Sequence, residues 1–193
     1  MQGLALVDYD NLCPDARSEP EVEICTADLL DLLAGASQAV FPGLSELDVR
    51  LYGGWIDEHG VHSESARWLL PLLPALRGRR QGLIVRPTLA ITMLQFPGVE
   101  LRGTVRLQGT KRRRQKMVDG MLGCDAVFAA TLGQSPVGIV SDDDDLLPAA
   151  LSAHSADRAD AVLMRRRAPG QGLNDRSAKE CGLRIRCLEQ TPS

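Results

Sequence analysis

The sequence predicts an α/β protein built on a mainly parallel sheet with helices on both faces. Three observations predict it. Short apolar runs alternate with stretches of helical periodicity along most of the chain, the pattern that gives parallel strands joined by helical crossovers. Two of those runs, Leu4-Ala5-Leu6-Val7 and Val137-Gly138-Ile139-Val140, are apolar or small at every residue, as strands covered on both faces are. Each run breaks directly into polar, acid-rich sequence: Asp8-Tyr9-Asp10-Asn11 after the first, and Ser141 with Asp142, Asp143, Asp144 and Asp145 after the second. In open α/β sheets the site lies beyond the carboxyl ends of the strands.

Beyond the first strand, residues 14–20 hold Pro14 and Pro20 and read as a loop; Val22, Leu29, Leu30, Leu33 and Ala36 then mark a helix from Glu21 to Val40, stopped by Phe41-Pro42-Gly43. Residues 47–55 form the next strand, with Gly53-Gly54 at its exit. His59 and His62 fall in the polar loop after it and have no third ligand nearby in sequence, so they read as solvated rather than zinc-bound. A helix opens at Ser63 and runs to about Arg77, shortened or kinked by Pro71 and Pro74. Residues 82–108 interrupt the alternation and predict a β-hairpin insertion, with strands at 82–86 and 101–107 and a turn at Phe96-Pro97-Gly98. Its second strand alternates Leu101, Gly103, Val105 and Leu107 with Arg102, Thr104 and Arg106, so one face is basic. A helix over 115–130 comes after the block Lys111-Arg112-Arg113-Arg114, with Val118, Leu122 and Ala126 toward the core. After the four aspartates come a helix to about Ala156, a strand at 159–164, a Gly/Pro/Asn loop and an edge strand at 183–188. No repeat or low-complexity linker divides the 193 residues, so residues 1–193 read as a single domain.

Composition narrows the partners. The net charge is −3, yet nineteen of the twenty-two basic residues are arginine and they cluster at 77–80, 111–114 and 165–167. Local basic blocks on an acidic protein still attract polyanions, because the local field decides. No uncharged apolar run approaches the ~20 residues that span a bilayer, so no membrane partner is expected. Met1-Gln2-Gly3-Leu4 has no basic segment of a secretory signal, and the expected compartment is cytoplasmic. The five cysteines are odd in number and form no C-x-x-C pair, which argues against a disulfide framework or a zinc ribbon and for small buried residues.

The chemistry rests on carboxylates. Adjacent acids repel one another unless a cation sits among them, and helix capping accounts for two of the four aspartates at 142–145 better than for all four. Oxygen ligands favour Mg²⁺ or Mn²⁺ over zinc. On the helix after the arginine block, Lys116 and Asp119 are neighbours on one face, whereas Asp125 is turned about 120° from Asp119. Asp119 is therefore the site candidate of the two, and Asp125, Asp10 and Asp142 are held as secondary ones.

These residues resemble a known family. Val7-Asp8-Tyr9-Asp10-Asn11-Leu12 resembles the D-x-x-N start of NYN domains, a branch of the PIN-like nucleases. Lys116-Met117-Val118-Asp119 with Leu122 and Asp125 is similar to that family's K-G-x-D-x-x-L-x-x-D helix, with Met117 in place of the usual glycine. Ser141 to Leu146 resembles its S-x-D-x-D-[FL] segment. The resemblance covers most of residues 3–165 and implies a three-layer α/β/α sandwich of PIN-like, Rossmannoid type. It implies a Mg²⁺- or Mn²⁺-dependent endoribonuclease with Asp8, Asp119, Asp143 and Asp145 at the metal, Asn11 and Ser141 orienting them. RNA, single-stranded or structured and tRNA included, is the implied partner, and a homo-oligomer is compatible. Lys111, Arg112, Arg113, Arg114, Lys116, Arg102 and Arg106 are the candidates for the basic rim that brings a polyanion to an acidic pocket.

Two other readings stay open. Asp8-Tyr9-Asp10 is also similar to the start of haloacid-dehalogenase-like phosphatases, with Asp8 as nucleophile, Asp10 as acid and base, Lys116 as charge partner and Asp142–Asp145 as Mg²⁺ ligands. The alternative is a PIN-like module that binds RNA and does not cut it.

Overall fold

Strand β1 (Gln2–Asp8) lies in the middle of the sheet because its residues are covered on both sides. Ala5 and Val7 face one core, and Leu6 faces another. The computed structural model describes residues 1–14, 16–108, 112–115, 117–133, 135–156, 160–168, 170–172 and 174–189, with only the backbone of 106–108 and 112–115.

From β1 the chain passes through a single turn, α1 (Tyr9–Leu12), and the long α2 (Glu19–Val40) to β2 (Glu46–Tyr52). Helix α3 (Glu64–Leu76) then leads to β3 (Gly78–Arg80) and β4 (Leu83–Leu89). Two hairpins come next, β5 (Thr92–Met93) with β6 (Phe96–Glu100) and β7 (Val105–Gln108) with β8 (Arg112–Gln115). Helix α4 (Val118–Leu132) precedes β9 (Val137–Val140), a 3-10 turn (Asp144–Leu146) and α5 (Leu147–Ser155). The described chain closes with β10 (Ala161–Arg165), α6 (Asp175–Glu180) and β11 (Arg184–Cys187). Seven strands form one sheet in the order β11-β10-β9-β1-β2-β4-β3, all parallel except the edge strand β3.

Helices α2 and α3 bury Leu29, Leu33 and Leu69 against Val7, Val49 and Val85 on one face. On the other, α4 and α5 bury Leu122, Ala126 and Ala150 against Leu6, Ile139 and Leu163. The α/β expectation with a mainly parallel sheet therefore holds. No helix among the described residues is long and apolar enough to cross a membrane.

Several expectations are corrected. Residues 82–86 do not begin an inserted hairpin: β4 pairs in parallel with β2, and Leu83 and Val85 are fully buried. Its outer residues Arg86 and Thr88 keep some exposure, so its alternation mimics a hairpin strand. Phe96-Pro97-Gly98 opens β6 instead of turning; the turn is at 94–95. Of the proposed 101–107 strand only residues 105–107 are extended, in a strand of 105–108 paired antiparallel with 112–115. That pairing takes in Gln115 and so delays the helix expected from Gln115 until Val118. Arg165, read as part of a basic surface block, is fully buried. Cys13 and Cys25 form a disulfide, contrary to expectation. Helix α2 carries Cys25 to within a Cα–Cα distance of 6.2 Å of Cys13, which spacing alone does not reveal. Cys124 and Cys181 are exposed, and only Cys187 of the free thiols is buried.

Candidate functional site

Strand order locates the crevice. After β1 the chain builds outward through β2 and β4, then crosses back to β9 on the opposite side of β1 and continues to β10 and β11. The β1–β9 boundary is thus the topological switch point, where open α/β sheets leave a cleft beyond the strand ends. Val7 is paired with Val140, so Asp8 and Ser141 emerge side by side one residue later.

Hydrogen bonds stitch the two strand ends together. The Ser141 hydroxyl, fully buried, donates to Asp8 Oδ2 at 2.7 Å and accepts the Asp143 N–H at 2.9 Å. Asn11 Oδ1 accepts the Asp142 N–H at 3.3 Å, and the Asn11 backbone bonds the Asp8 carboxyl. Asp8 is 2% exposed. Burial, joined by the charges of Asp119 and Asp10, lifts its carboxyl from 3.8 to about 6 despite the Ser141 bond. Asp119 sits in the first turn of α4, and its pKa is raised by desolvation and by the charges of Asp143 and Asp145. Asp8, Asp119, Asp143 and Asp145 thus share one electrostatic neighbourhood drawn from β1, α4 and the loop after β9. Among the described residues no group of three or more His, Cys, Asp or Glu side chains stands ready to hold a metal ion directly.

The four aspartates divide their work. Asp143 Oδ1 caps the 3-10 turn by accepting the Asp145 N–H at 2.9 Å. Asp144 turns away from the crevice to Arg165 Nη1 at 2.9 Å and to Arg167. Asp142 Oδ1 accepts the Arg167 N–H at 3.3 Å. Asp145 is exposed and faces Asp119 across a groove. Much of the charge that argued for a cation is therefore met by two arginines, which leaves Asp143 and Asp145 near Asp119.

The other candidates fall elsewhere. Asp10 Oδ2 accepts the Gly54 N–H at 2.8 Å and fixes the exit of β2; burial raises its pKa. Asp125 is fully buried, accepts from Tyr52 Oη at 2.6 Å and from the Leu94 N–H at 2.8 Å, and lies 3.7 Å from Arg50. It is a structural anchor, in keeping with the 120° offset from Asp119. Arg102 lies over the loop after β2, where a Cβ on Gly60 would come 3.3 Å from its guanidinium carbon, and joins no site carboxylate. Lys111 and Lys116 lie outside the described residues, as do the side chains of Arg106, Arg112, Arg113 and Arg114.

Sequence reasoning missed Arg165 and the Tyr52–Asp125–Arg50 cluster. A signal existed for both: Arg165 ends β10 one residue beyond Met164, the partner of Val140, and Tyr52 ends β2 opposite Asp8. No family model, curated protein or solved structure matches the chain.

Proposed function

We propose that the chain is a Mg²⁺- or Mn²⁺-dependent endoribonuclease of NYN, PIN-like type. The observation that carries the reading is the meeting of Asp8, Asp119, Asp143 and Asp145 at the switch point between β1 and β9, with Asp8 raised to about 6 by burial and by neighbouring charge. Such a cluster is costly for a protein to maintain without a positive counterpart. Its donor chemistry fits a hard cation that keeps several waters and needs few direct protein ligands, as Mg²⁺ does.

Asp8, Asp119, Asp143 and Asp145 would hold the ion. Bound there it supplies a polarised phosphoryl oxygen, an activated water and charge relief for the leaving oxygen. Ser141 and Asn11 keep Asp8 and the loop after β9 in register. The phosphatase reading has weaker support, because its acid and base, Asp10, is committed to Gly54, and its ligand Asp144 to two arginines.

The test is incubation of the protein with end-labelled single-stranded RNA, tRNA and DNA in Mn²⁺, Mg²⁺ or EDTA, beside the Asp8→Asn/Asp143→Asn double variant. Internal cuts that need metal and vanish in the variant are expected. Equal inertness of both proteins on every polymer would overturn the reading.

A further inference from the structure

Another groove, of about 430 Å³, lies apart from Asp119 and Asp145 and is lined by Leu12, Cys13, Pro14, Ile24, Cys25 and Arg166. The volume is within the ~300–1,000 Å³ usual for sites that take small organic groups. The Cys13–Cys25 disulfide is therefore part of a wall that a small molecule can reach. Cys13 is 6% exposed, whereas Cys25 is only partly buried and its neighbour Ile24 is 62% exposed. Disulfides open to solvent are the ones that exchange with thiols, through attack of a thiolate on one of the two sulfurs.

Two of the segments that wall this groove run directly into the crevice. Cys13 ends the turn α1, which carries Asn11; the Asn11 side chain accepts the Asp142 N–H at 3.3 Å, and its backbone bonds the Asp8 carboxyl. Arg166 stands between Arg165 and Arg167, the two residues that hold Asp144. Arg166 Nε is buried and has no hydrogen-bond partner among the described residues. The two acids that also line the groove, Glu21 and Asp28, are exposed. A cation on the wall of the groove favours departure of a sulfur as its thiolate. The disulfide is not the sole hold on α1, since Tyr9 Oη and Thr26 Oγ1 are bonded at 2.8 Å and Leu12 is buried. Opening the bond thus frees the end of α1 while the turn stays seated on α2.

We propose that Cys13–Cys25 is a thiol-exchange site for a small dithiol, whose reaction releases the end of α1 and loosens the Asn11–Asp142 contact at the crevice. One thiolate of the dithiol attacks Cys25 Sγ; the bond to Cys13 breaks, and Cys13 leaves as a thiolate that takes up a proton. The second thiolate then attacks the reagent's own sulfur in the mixed disulfide and releases Cys25, which is protonated in turn. The protein gains two electrons and two protons, and the dithiol is oxidised to a cyclic disulfide. That this slows the cutting of RNA rests on the nuclease reading; the exchange and the loosening do not.

The probe is dithiothreitol. Folded protein is treated with it, then unfolded in excess iodoacetamide, and mass spectrometry counts the alkylated thiols. Three are expected before treatment and all five cysteines after it. Amide hydrogen exchange of segment 141–145 is followed in both forms, at times too short for the core strand β4 to exchange in either. Reduction should speed exchange of that segment roughly tenfold, as loss of one hydrogen bond does. On labelled single-stranded RNA, kcat/KM should fall roughly tenfold, the low end of what loss of an outer partner to a metal site costs. Reoxidation should reverse both changes, and the Cys13→Ser/Cys25→Ser variant should match the reduced parent with or without dithiothreitol. Five thiols before treatment, or three after it, would overturn the exchange site. Unchanged amide exchange or unchanged cutting after complete reduction would overturn its link to the crevice and leave the nuclease reading standing. A parent that cuts no polymer in any metal would sink the nuclease reading alone, because the thiol count and the amide exchange still decide the site.

Discussion

Replacing Asp8 by asparagine should make the protein more stable while removing its proposed activity. The Asp8 carboxyl titrates at about 6 in the folded chain against an ordinary 3.8. Between those values the folded chain holds a proton that the unfolded chain has lost, so this group's contribution to stability falls as pH rises through the window. The full deficit is present above about 6. At about 1.36 kcal/mol per pH unit it amounts to about 3 kcal/mol at pH 7.5 and to about half of that at pH 5. Asparagine keeps one acceptor oxygen for Ser141 and loses the charge-assisted part of that bond, roughly 1 kcal/mol. The net gain at pH 7.5 is about 2 kcal/mol, or about 4–8 °C in melting temperature for a chain of this size. Urea denaturation of both proteins in EDTA at pH 7.5 and pH 5 measures it, and the gain should shrink sharply at the lower pH. Added Mn²⁺ should then stabilise the parent more than the variant. An Asp8→Asn protein no more stable than the parent at pH 7.5, or a gain indifferent to pH, would refute the electrostatic account of this site.

Met117 precedes α4 with φ of 63°, in the left-handed region. Met117→Gly should therefore gain about 0.5–1 kcal/mol in urea denaturation, the relieved backbone strain outweighing glycine's greater unfolded freedom. Arg165→Met leaves Asp144 without its buried partner and Asp175, fully buried 3.6 Å away, without a countercharge. The expected cost is about 3–5 kcal/mol by the same measurement, whereas Arg167→Ala, at a partly exposed pair, should cost about 1 kcal/mol or less. Reduction of the Cys13–Cys25 disulfide, which closes a loop with a sequence separation of 12, should lower stability by about 3 kcal/mol. A melting temperature unmoved by dithiothreitol would count against that bond as a stabilising link.

Most strands, most helices and the acids at strand ends were legible in the residues alone, because each is a local property. Leu4–Val7 and Val137–Val140 are too uniformly apolar to be anything but covered strands, and residues just past the end of a parallel strand are placed at the crevice by the sheet itself. Helical geometry alone separated Asp119 from Asp125. Features that depend on distant neighbours were not legible in this way. Tertiary pairing put β4 inside the main sheet and brought Cys13 to Cys25. It also set the charge balance of the aspartate run. Four acids in a row look alike in sequence, but Asp144 meets Arg165 and Arg167 only because β10 lies beside β9. Asp145 instead faces the groove with Asp119. A carboxylate's charge is a property of its residue type, whereas its partner is a property of the fold.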